Sequence, residues 1–102
     1  MTLDDLFETV KLRAASSPEE SWTAKLLAKG PEKCAEKFGE EAIEAIIVAV
    51  KNDPTALTSE AADVIFHLMV MLHACGVEWG DVVDVLARRQ GQSGIAEKAS
   101  RE

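Results

Sequence analysis

Two groups of carboxylates lie at helical spacing in the middle of the chain: Glu40, Glu41 and Glu44, then Glu60 and Asp63. Residues three or four positions apart share one face of a helix, so each group presents its acids on one side. If the two helices pack face to face, like charges about 4 Å apart repel by about 4 kcal/mol at an effective dielectric of about 20. A bound cation would relieve this repulsion, and hard divalent cations prefer oxygen ligands.

A solvated helix face is the simpler explanation of the first group, because E-E-x-x-E runs are common on exposed helices. Two features favour a metal site instead. Glu60 and Asp63 lie near the start of an otherwise almost wholly apolar helix, where charges are costly. The short Asp53-Pro54 turn also makes the two helices consecutive and antiparallel, so that their acids can meet. Spacing therefore favours metal binding over a solvated face.

Phosphate hydrolysis assisted by Mg²⁺ is the chemistry expected of such a cluster. Mg²⁺ keeps several waters and bridges protein carboxylates to substrate phosphates, and a water polarised by the ion can attack phosphorus in line. The expected metal ligands are Glu41, Glu44, Glu60 and Asp63. Glu40 is rotated round the helix and is expected to support these ligands or to orient the water. We count Glu40, Glu41 and Glu44 as the catalytic carboxylates.

Basic and imidazole side chains near the acids have two interpretations each. Lys37 precedes Glu41 by one turn, and an ion pair on one helix face is simpler than a phosphate contact. Arg88 and Arg89 fall at the end of the last predicted helix. There, a favourable interaction with the helix dipole is simpler than phosphate binding. His67 lies on the acidic side of its helix, but Mg²⁺ disfavours imidazole, so we expect a hydrogen-bonded core residue.

Five helical segments must position these residues, and their ends carry helix-capping signals. Thr2 with Asp5 forms a capping-box pattern, and Gly30 precedes a proline at a first helical position. Asp53 can cap the segment that begins at Pro54. The predicted helices run from about Leu3 to Ala15, from Pro31 to about Asn52, from Pro54 to Ala74 or Cys75, and from Glu78 to about Gln90. The segment from Ser21 to Lys29 is predicted to be a short helix or a turn.

The fourth segment is apolar nearly all round from Val64 onward, and a helix of that kind needs partners on every side. A chain of 102 residues barely provides them. We therefore predict an all-α protein, an antiparallel bundle of four to five helices whose core is completed by homodimerisation. The last helix is expected to point four apolar side chains inward: Val82, Val83, Val85 and Leu86.

Composition is consistent with one domain over residues 1–102, with 47 % hydrophobic but only 5 % aromatic residues. A net charge of −7 argues against nucleic-acid binding. The longest apolar run, Val64 to Cys75, is too short to span a bilayer, and the acidic start of the chain is unlike a secretory signal. Cys34 and Cys75 are expected to be reduced and buried. We therefore expect a cytoplasmic protein without membrane or nucleic-acid partners.

Four stretches closely resemble the phosphoribosyl-ATP pyrophosphatase family: Ser21 to Leu26, Glu36 to Glu44, Glu60 to Asp63, and Arg88 to Gly94. The resemblance extends over nearly the whole chain and implies hydrolysis of phosphoribosyl-ATP to phosphoribosyl-AMP and pyrophosphate, the second step of histidine biosynthesis. It also implies Mg²⁺, an all-α nucleotide pyrophosphohydrolase fold and a homodimer with two active sites; further pairing of dimers stays open. By this resemblance, the expected ligand acids match the family's metal carboxylates, with Glu40 as the fifth acid.

The family pattern also implies six substrate contacts: Lys25, Lys37, Arg88, Arg89, Ser93 and Lys98. One departure is Trp22, where the family often has Tyr, so any role for that hydroxyl is absent here. Two alternatives remain. One is a house-cleaning nucleoside triphosphate pyrophosphatase of the same helical group, against which the Ser93 and Ser21 to Lys25 segments argue. The other is a non-catalytic helical dimerisation module.

Overall fold

The structure, a computed structural model, describes residues 1–91, 94, 98 and 101. Within these residues the chain forms five helices and no strand. Their bounds are α1 (Leu3–Ala14), α2 (Trp22–Ala28), α3 (Pro31–Val50), α4 (Pro54–Ala74) and α5 (Trp79–Arg89). The all-α prediction is confirmed.

Side-chain caps fix the beginnings of three helices. At α1, the Asp5 backbone N–H donates to Thr2 Oγ1 and the Thr2 backbone N–H donates to Asp5 Oδ2, both at 3.1 Å. Ser21 Oγ accepts from the Ala24 N–H at α2, and Asp53 Oδ1 accepts from the Ala56 N–H at α4. These bonds satisfy N–H groups that a helix leaves without an internal partner.

The hairpin of α3 and α4 is the largest helix–helix packing in the molecule. Gly30, with φ of 96°, turns the chain into Pro31 at the start of α3. Between the helices Asn52 has φ of 59°, a left-handed conformation that Asn tolerates better than most residues. Because the connection is this short, α3 and α4 are antiparallel neighbours, which places the two acidic groups near the same end of the hairpin.

The buried core is small and lies where α1, α2 and the far end of the hairpin meet. It consists of Phe7, Val10, Leu26, Cys34, Met69, Val70 and Trp79. The prediction that Cys75 is buried is wrong, since it caps the exposed end of α4, although both cysteines are free thiols.

Two of the four side chains predicted to face inward from α5 are exposed instead. Val83 is 41 % exposed and Leu86 is 58 % exposed, whereas Val82 and Val85 are half-buried. The physical reason is that α5 packs chiefly on α1 and is anchored by Trp79 at its start, so one chain covers only one side of it.

A second apolar surface lies on α3. Its members follow helical spacing and are between 46 % and 81 % exposed: Ile43, Ile46, Ile47 and Val50, hereafter the α3 apolar stripe. The Cα radius of gyration is 15.7 Å, whereas a compact chain of this length is expected near about 13 Å. The single chain is therefore extended and leaves large apolar side chains in water.

Helix α4 is, by length and composition alone, long and apolar enough to cross a membrane. This differs from the prediction based on the shorter run from Val64, because the helix includes ten further residues before it. Core helices of soluble proteins meet the same criteria. The two carboxylates of the helix, Glu60 and Asp63, argue against a lipid environment.

Candidate functional site

Helices α3 and α4 bring three of the predicted carboxylates together. Glu41 on α3 and both Glu60 and Asp63 on α4 each have an oxygen within 4.8 Å of the others. Glu60 and Asp63 are one turn apart, so they share the face of α4 that packs near α3. We call these three residues the acidic cluster. Glu41 is only 8 % exposed, so part of the cluster is shielded from water.

Glu44 lies at the edge of the acidic cluster. The pKa of its carboxyl is raised, first because it shares a hydrogen bond with Glu41 and lies beside that charge, and further through desolvation and the proximity of Glu60. One turn separates Glu44 from Glu41 on α3. Glu44 is exposed, so it joins the inner cluster to solvent.

Lys37 is the cation that the structure places against these acids. Its Nζ lies 3.3 Å from Glu41 Oε1 and 3.6 Å from Glu40 Oε2. The hydrogen bond and the charge of Glu41 raise the pKa of Lys37, with partial burial opposing the increase. Glu40 is exposed and reaches the cluster only through this lysine.

The residues present fit a hard divalent cation. All three members of the acidic cluster offer oxygen atoms, the donors that Mg²⁺ prefers. Glu60 Oε2 is buried and has no hydrogen-bond partner in the described structure, which is costly for a carboxylate oxygen. A cation bound between the helices would coordinate that oxygen and offset the repulsion among the three acids. Lys37 pairs with Glu41 of the cluster.

His67 is the polar residue nearest along α4 after the acids, one turn beyond Asp63. It is buried among rings: the Trp22 ring centroid lies 5.5 Å away and that of Phe66 5.3 Å away, both edge to face. Burial lowers the pKa of His67, against smaller opposing effects of the Glu41 and Asp63 charges, while the charge of Lys37 lowers it further. Its Nδ1 is buried without a hydrogen-bond partner, so the expected hydrogen-bonded core residue is buried but not fully satisfied.

The remaining predicted substrate contacts lie on α2, on α5 and in the segment after α5. Lys25 is exposed and lines a cavity with Trp22 and the turn before it. Arg88 and Arg89 are exposed in the last turn of α5, and Arg89 lines a shallow cavity on that helix. Lys98 is exposed, and Ser93 lies outside the described residues. Their contact with substrate remains a prediction.

Sequence reasoning missed the aromatic contact between α2 and α4. The sequence indicates Trp22 as a replacement for Tyr and His67 as a hydrogen-bonded core residue, with no contact between them. The available signal was the position of His67 on the acidic side of α4, one turn after Asp63. Nothing in the spacing indicated that α2 would place its first residue against that ring.

Comparison with known proteins identifies the family of the chain. Residues 3–90 match the family model described as phosphoribosyl-ATP pyrophosphohydrolase. The chain is 65 % identical over 101 residues to a phosphoribosyl-ATP pyrophosphatase of Roseobacter denitrificans, covering 99 % of this chain and 96 % of the relative. It is 64 % identical over 100 residues to the protein of that name from Paracoccus denitrificans, covering 98 % and 93 %. The chain therefore belongs to the phosphoribosyl-ATP pyrophosphohydrolase family.

Proposed function

We propose that the chain hydrolyses phosphoribosyl-ATP to phosphoribosyl-AMP and pyrophosphate, the second step of L-histidine biosynthesis. The bond broken is the anhydride between the α- and β-phosphates. The observation that carries the proposal is the acidic cluster, with oxygens within 4.8 Å, in a chain 65 % identical to a phosphoribosyl-ATP pyrophosphatase along nearly its whole length. An enzyme that hydrolyses phosphoanhydrides with the help of a hard metal ion needs oxygen ligands grouped in this way.

Glu41, Glu60 and Asp63 would hold Mg²⁺, which when bound neutralises phosphate oxygens and makes water a stronger nucleophile. Lys37 would bind a phosphate oxygen as a point charge, since its Nζ already lies at the edge of the cluster. Glu40 pairs with Lys37 and would keep it in place.

We propose that Glu44 is the general base, which accepts the proton of the attacking water. Its carboxyl is exposed to solvent and contacts Glu41 of the cluster, so it can accept a proton from a water held there. The proposed metal ligands are therefore three of the four expected from the sequence, and Glu44 is proposed as the general base instead. Lys25, Arg88, Arg89, Ser93 and Lys98 are proposed to bind the remaining phosphate and sugar groups.

We further propose that the enzyme is a homodimer. The α3 apolar stripe follows the spacing of a helix face that packs on another helix, and Val83 and Leu86 add apolar surface on α5. A second copy of the chain would cover these side chains and complete the small core. The extended shape supports the same assignment.

We propose a cytoplasmic location without membrane or nucleic-acid partners. In a bilayer, Glu60 and Asp63 of α4 would lie in hydrocarbon, at a cost of several kcal/mol. A net charge of −7 disfavours binding to another polyanion surface.

One assay separates this function from its rivals. Purified protein is incubated with phosphoribosyl-ATP, ATP or deoxynucleoside triphosphates, with and without Mg²⁺, and pyrophosphate is quantified. We expect Mg²⁺-dependent release from phosphoribosyl-ATP alone. Release from deoxynucleoside triphosphates would instead identify a house-cleaning pyrophosphatase, and no release from any of them would identify a dimerisation module.

A further inference from the structure

Trp22 is a large aromatic side chain held in place at one edge and open to solvent elsewhere. It is the first residue of α2 and is 53 % exposed. Its ring meets the buried His67 ring at 83°, with the centroids 5.5 Å apart. This contact holds the indole while leaving ring surface free, on which a further ring can stack.

A cavity of about 470 Å³ opens beside this indole. Its lining combines two rings, three hydroxyl residues and one charge of each sign: Trp22, Phe66, Ser16, Ser21, Thr23, Arg13 and Glu20. Because the charges of Arg13 and Glu20 offset each other, a polyphosphate is a poor occupant. Hydroxyl groups both donate and accept hydrogen bonds, as the ring nitrogens and amino group of a purine require.

A series of contacts through His67 connects this cavity with the acidic cluster. His67 follows Asp63 by four residues on α4, a rise of about 6 Å along the helix axis. Trp22 then contacts His67 directly, and the charges of Glu41 and Asp63 reach the imidazole. A ribose is the group that spans such a gap between a phosphate and a base.

We propose that Trp22 is the platform on which the purine of the nucleotide substrate stacks, in the cavity lined by Arg13, with His67 as the positioning residue that holds the indole. The inference rests on the proposed function, because it takes the phosphates to lie at the acidic cluster. Stacking on an aromatic side chain is favourable for any base because every base has a π-face.

Fluorescence tests the contact without catalysis, because the chain has two tryptophans, and the other, Trp79, is 9 % exposed in the core. Trp79→Phe leaves Trp22 as the reporter, and Trp22→Phe leaves Trp79 as the matched control. Each variant is titrated with AMP and, separately, with ribose 5-phosphate, which lacks the purine. We expect AMP to quench Trp22 while ribose 5-phosphate does not, and neither to affect Trp79.

Quenching of Trp22 by both compounds, or by neither, would overturn the inference. If Trp79→Phe does not fold, the difference between the wild type and Trp22→Phe gives the same signal. AMP quenching without pyrophosphate release from phosphoribosyl-ATP by the wild type would refute the proposed function but retain the purine site. Release of pyrophosphate without AMP quenching would retain the proposed function and refute the purine site.

Kinetics provide a second readout. Replacing the indole by an aliphatic side chain in Trp22→Leu should raise KM for phosphoribosyl-ATP about tenfold, with kcat unchanged within about twofold, because stacking binds the base and not the reacting phosphate. Trp22→Phe keeps a ring and should fall between this variant and the wild type. An equal KM in Trp22→Leu and the wild type would contradict the proposal.

Discussion

Lys37 Nζ lies 3.3 Å from Glu41 Oε1, joining a cation of α3 to the buried carboxylate of the acidic cluster. The pairing is more than the surface ion pair that spacing suggested, because Glu41 is only 8 % exposed and belongs to a group of three acids. Lys33, one turn earlier, pairs instead with Glu36 at 3.1 Å, and both of these side chains are about half exposed. Lys33 therefore serves as a control for Lys37, because only Lys37 is paired with a member of the acidic cluster in these two ion pairs.

Lys37→Met should reduce kcat/KM for phosphoribosyl-ATP by about a hundredfold, since a charge-assisted contact to phosphate is worth roughly 1.5–3 kcal/mol. Lys33→Met, which removes only a solvated pair, should stay within about twofold of the wild type. Steady-state pyrophosphate release measures both. Equal losses in the two variants would show that Lys37 has no specific role.

Asp63→Asn and Glu44→Gln should both abolish turnover, but for different reasons. Asp63→Asn removes a ligand, so addition of Mg²⁺ should no longer raise the melting temperature, whereas binding to the wild-type fold stabilises it by mass action. Glu44→Gln should keep the stabilisation by Mg²⁺, because Glu44 is proposed to accept a proton and not to bind the ion. Melting curves with Mg²⁺ and with EDTA measure the difference.

In EDTA the same Asp63→Asn variant should be more stable than the wild type, because one of three mutually repelling carboxylates has been neutralised. Circular dichroism should show unchanged helix content. If Glu44→Gln also loses the Mg²⁺-dependent shift, Glu44 is a ligand, as its spacing first suggested.

A charge in the α3 apolar stripe should dissociate the proposed dimer. Ile46→Asp places a carboxylate in the middle of the stripe, where burial against a second chain would be costly. Leu12→Asp is the matched control, because Leu12 is also a strongly exposed aliphatic residue but lies on α1. Sedimentation velocity should show a monomer for the first variant and a dimer for the second. A monomeric wild type would refute the assembly.

The buried imidazole predicts acid sensitivity. Because burial lowers the pKa of His67 below the ordinary value of 6.5, the unfolded state binds the proton more readily than the folded state. The stability provided by neutral His67 is present above pH 6.5 and is lost as the pH falls through the folded pKa.

The free energy of unfolding in EDTA should therefore fall faster below pH 6.5 for the wild type than for His67→Gln. The difference in slope should reach at most about 1.4 kcal/mol per pH unit, the limit for one proton. Urea titrations across this pH range give both slopes. Identical slopes would mean that His67 does not titrate differently in the two states.

The helices could be predicted from sequence because their ends are set by local chemistry. Thr2 and Asp53 cap with their own side chains, and Gly30 and Pro54 stop or start a helix whatever lies around them. Spacing likewise places Glu60 and Asp63 on one face of α4. Each of these features depends on neighbours within one turn.

The spacing of the acids in the sequence did not predict which of them come together in the site. Which acid of α3 meets Glu60 and Asp63 depends on how the two helices rotate against each other, and the packing of the core around Met69 and Cys34 determines that rotation. Glu41 therefore joins the cluster while Glu44 lies at its edge. The exposure of Leu86 has the same origin, because an apolar pattern does not specify which chain covers it.

The left-handed turn at Asn52 has a consequence for how the site forms. It closes a hairpin whose two arms carry every member of the acidic cluster, so no two of these residues lie more than 22 positions apart in the sequence. Contacts of short sequence separation form early, because little loop entropy opposes them. We expect the carboxylate geometry to be assembled in the first stage of folding, before the N-terminal helix docks, and hydrogen-exchange labelling during refolding would follow that order.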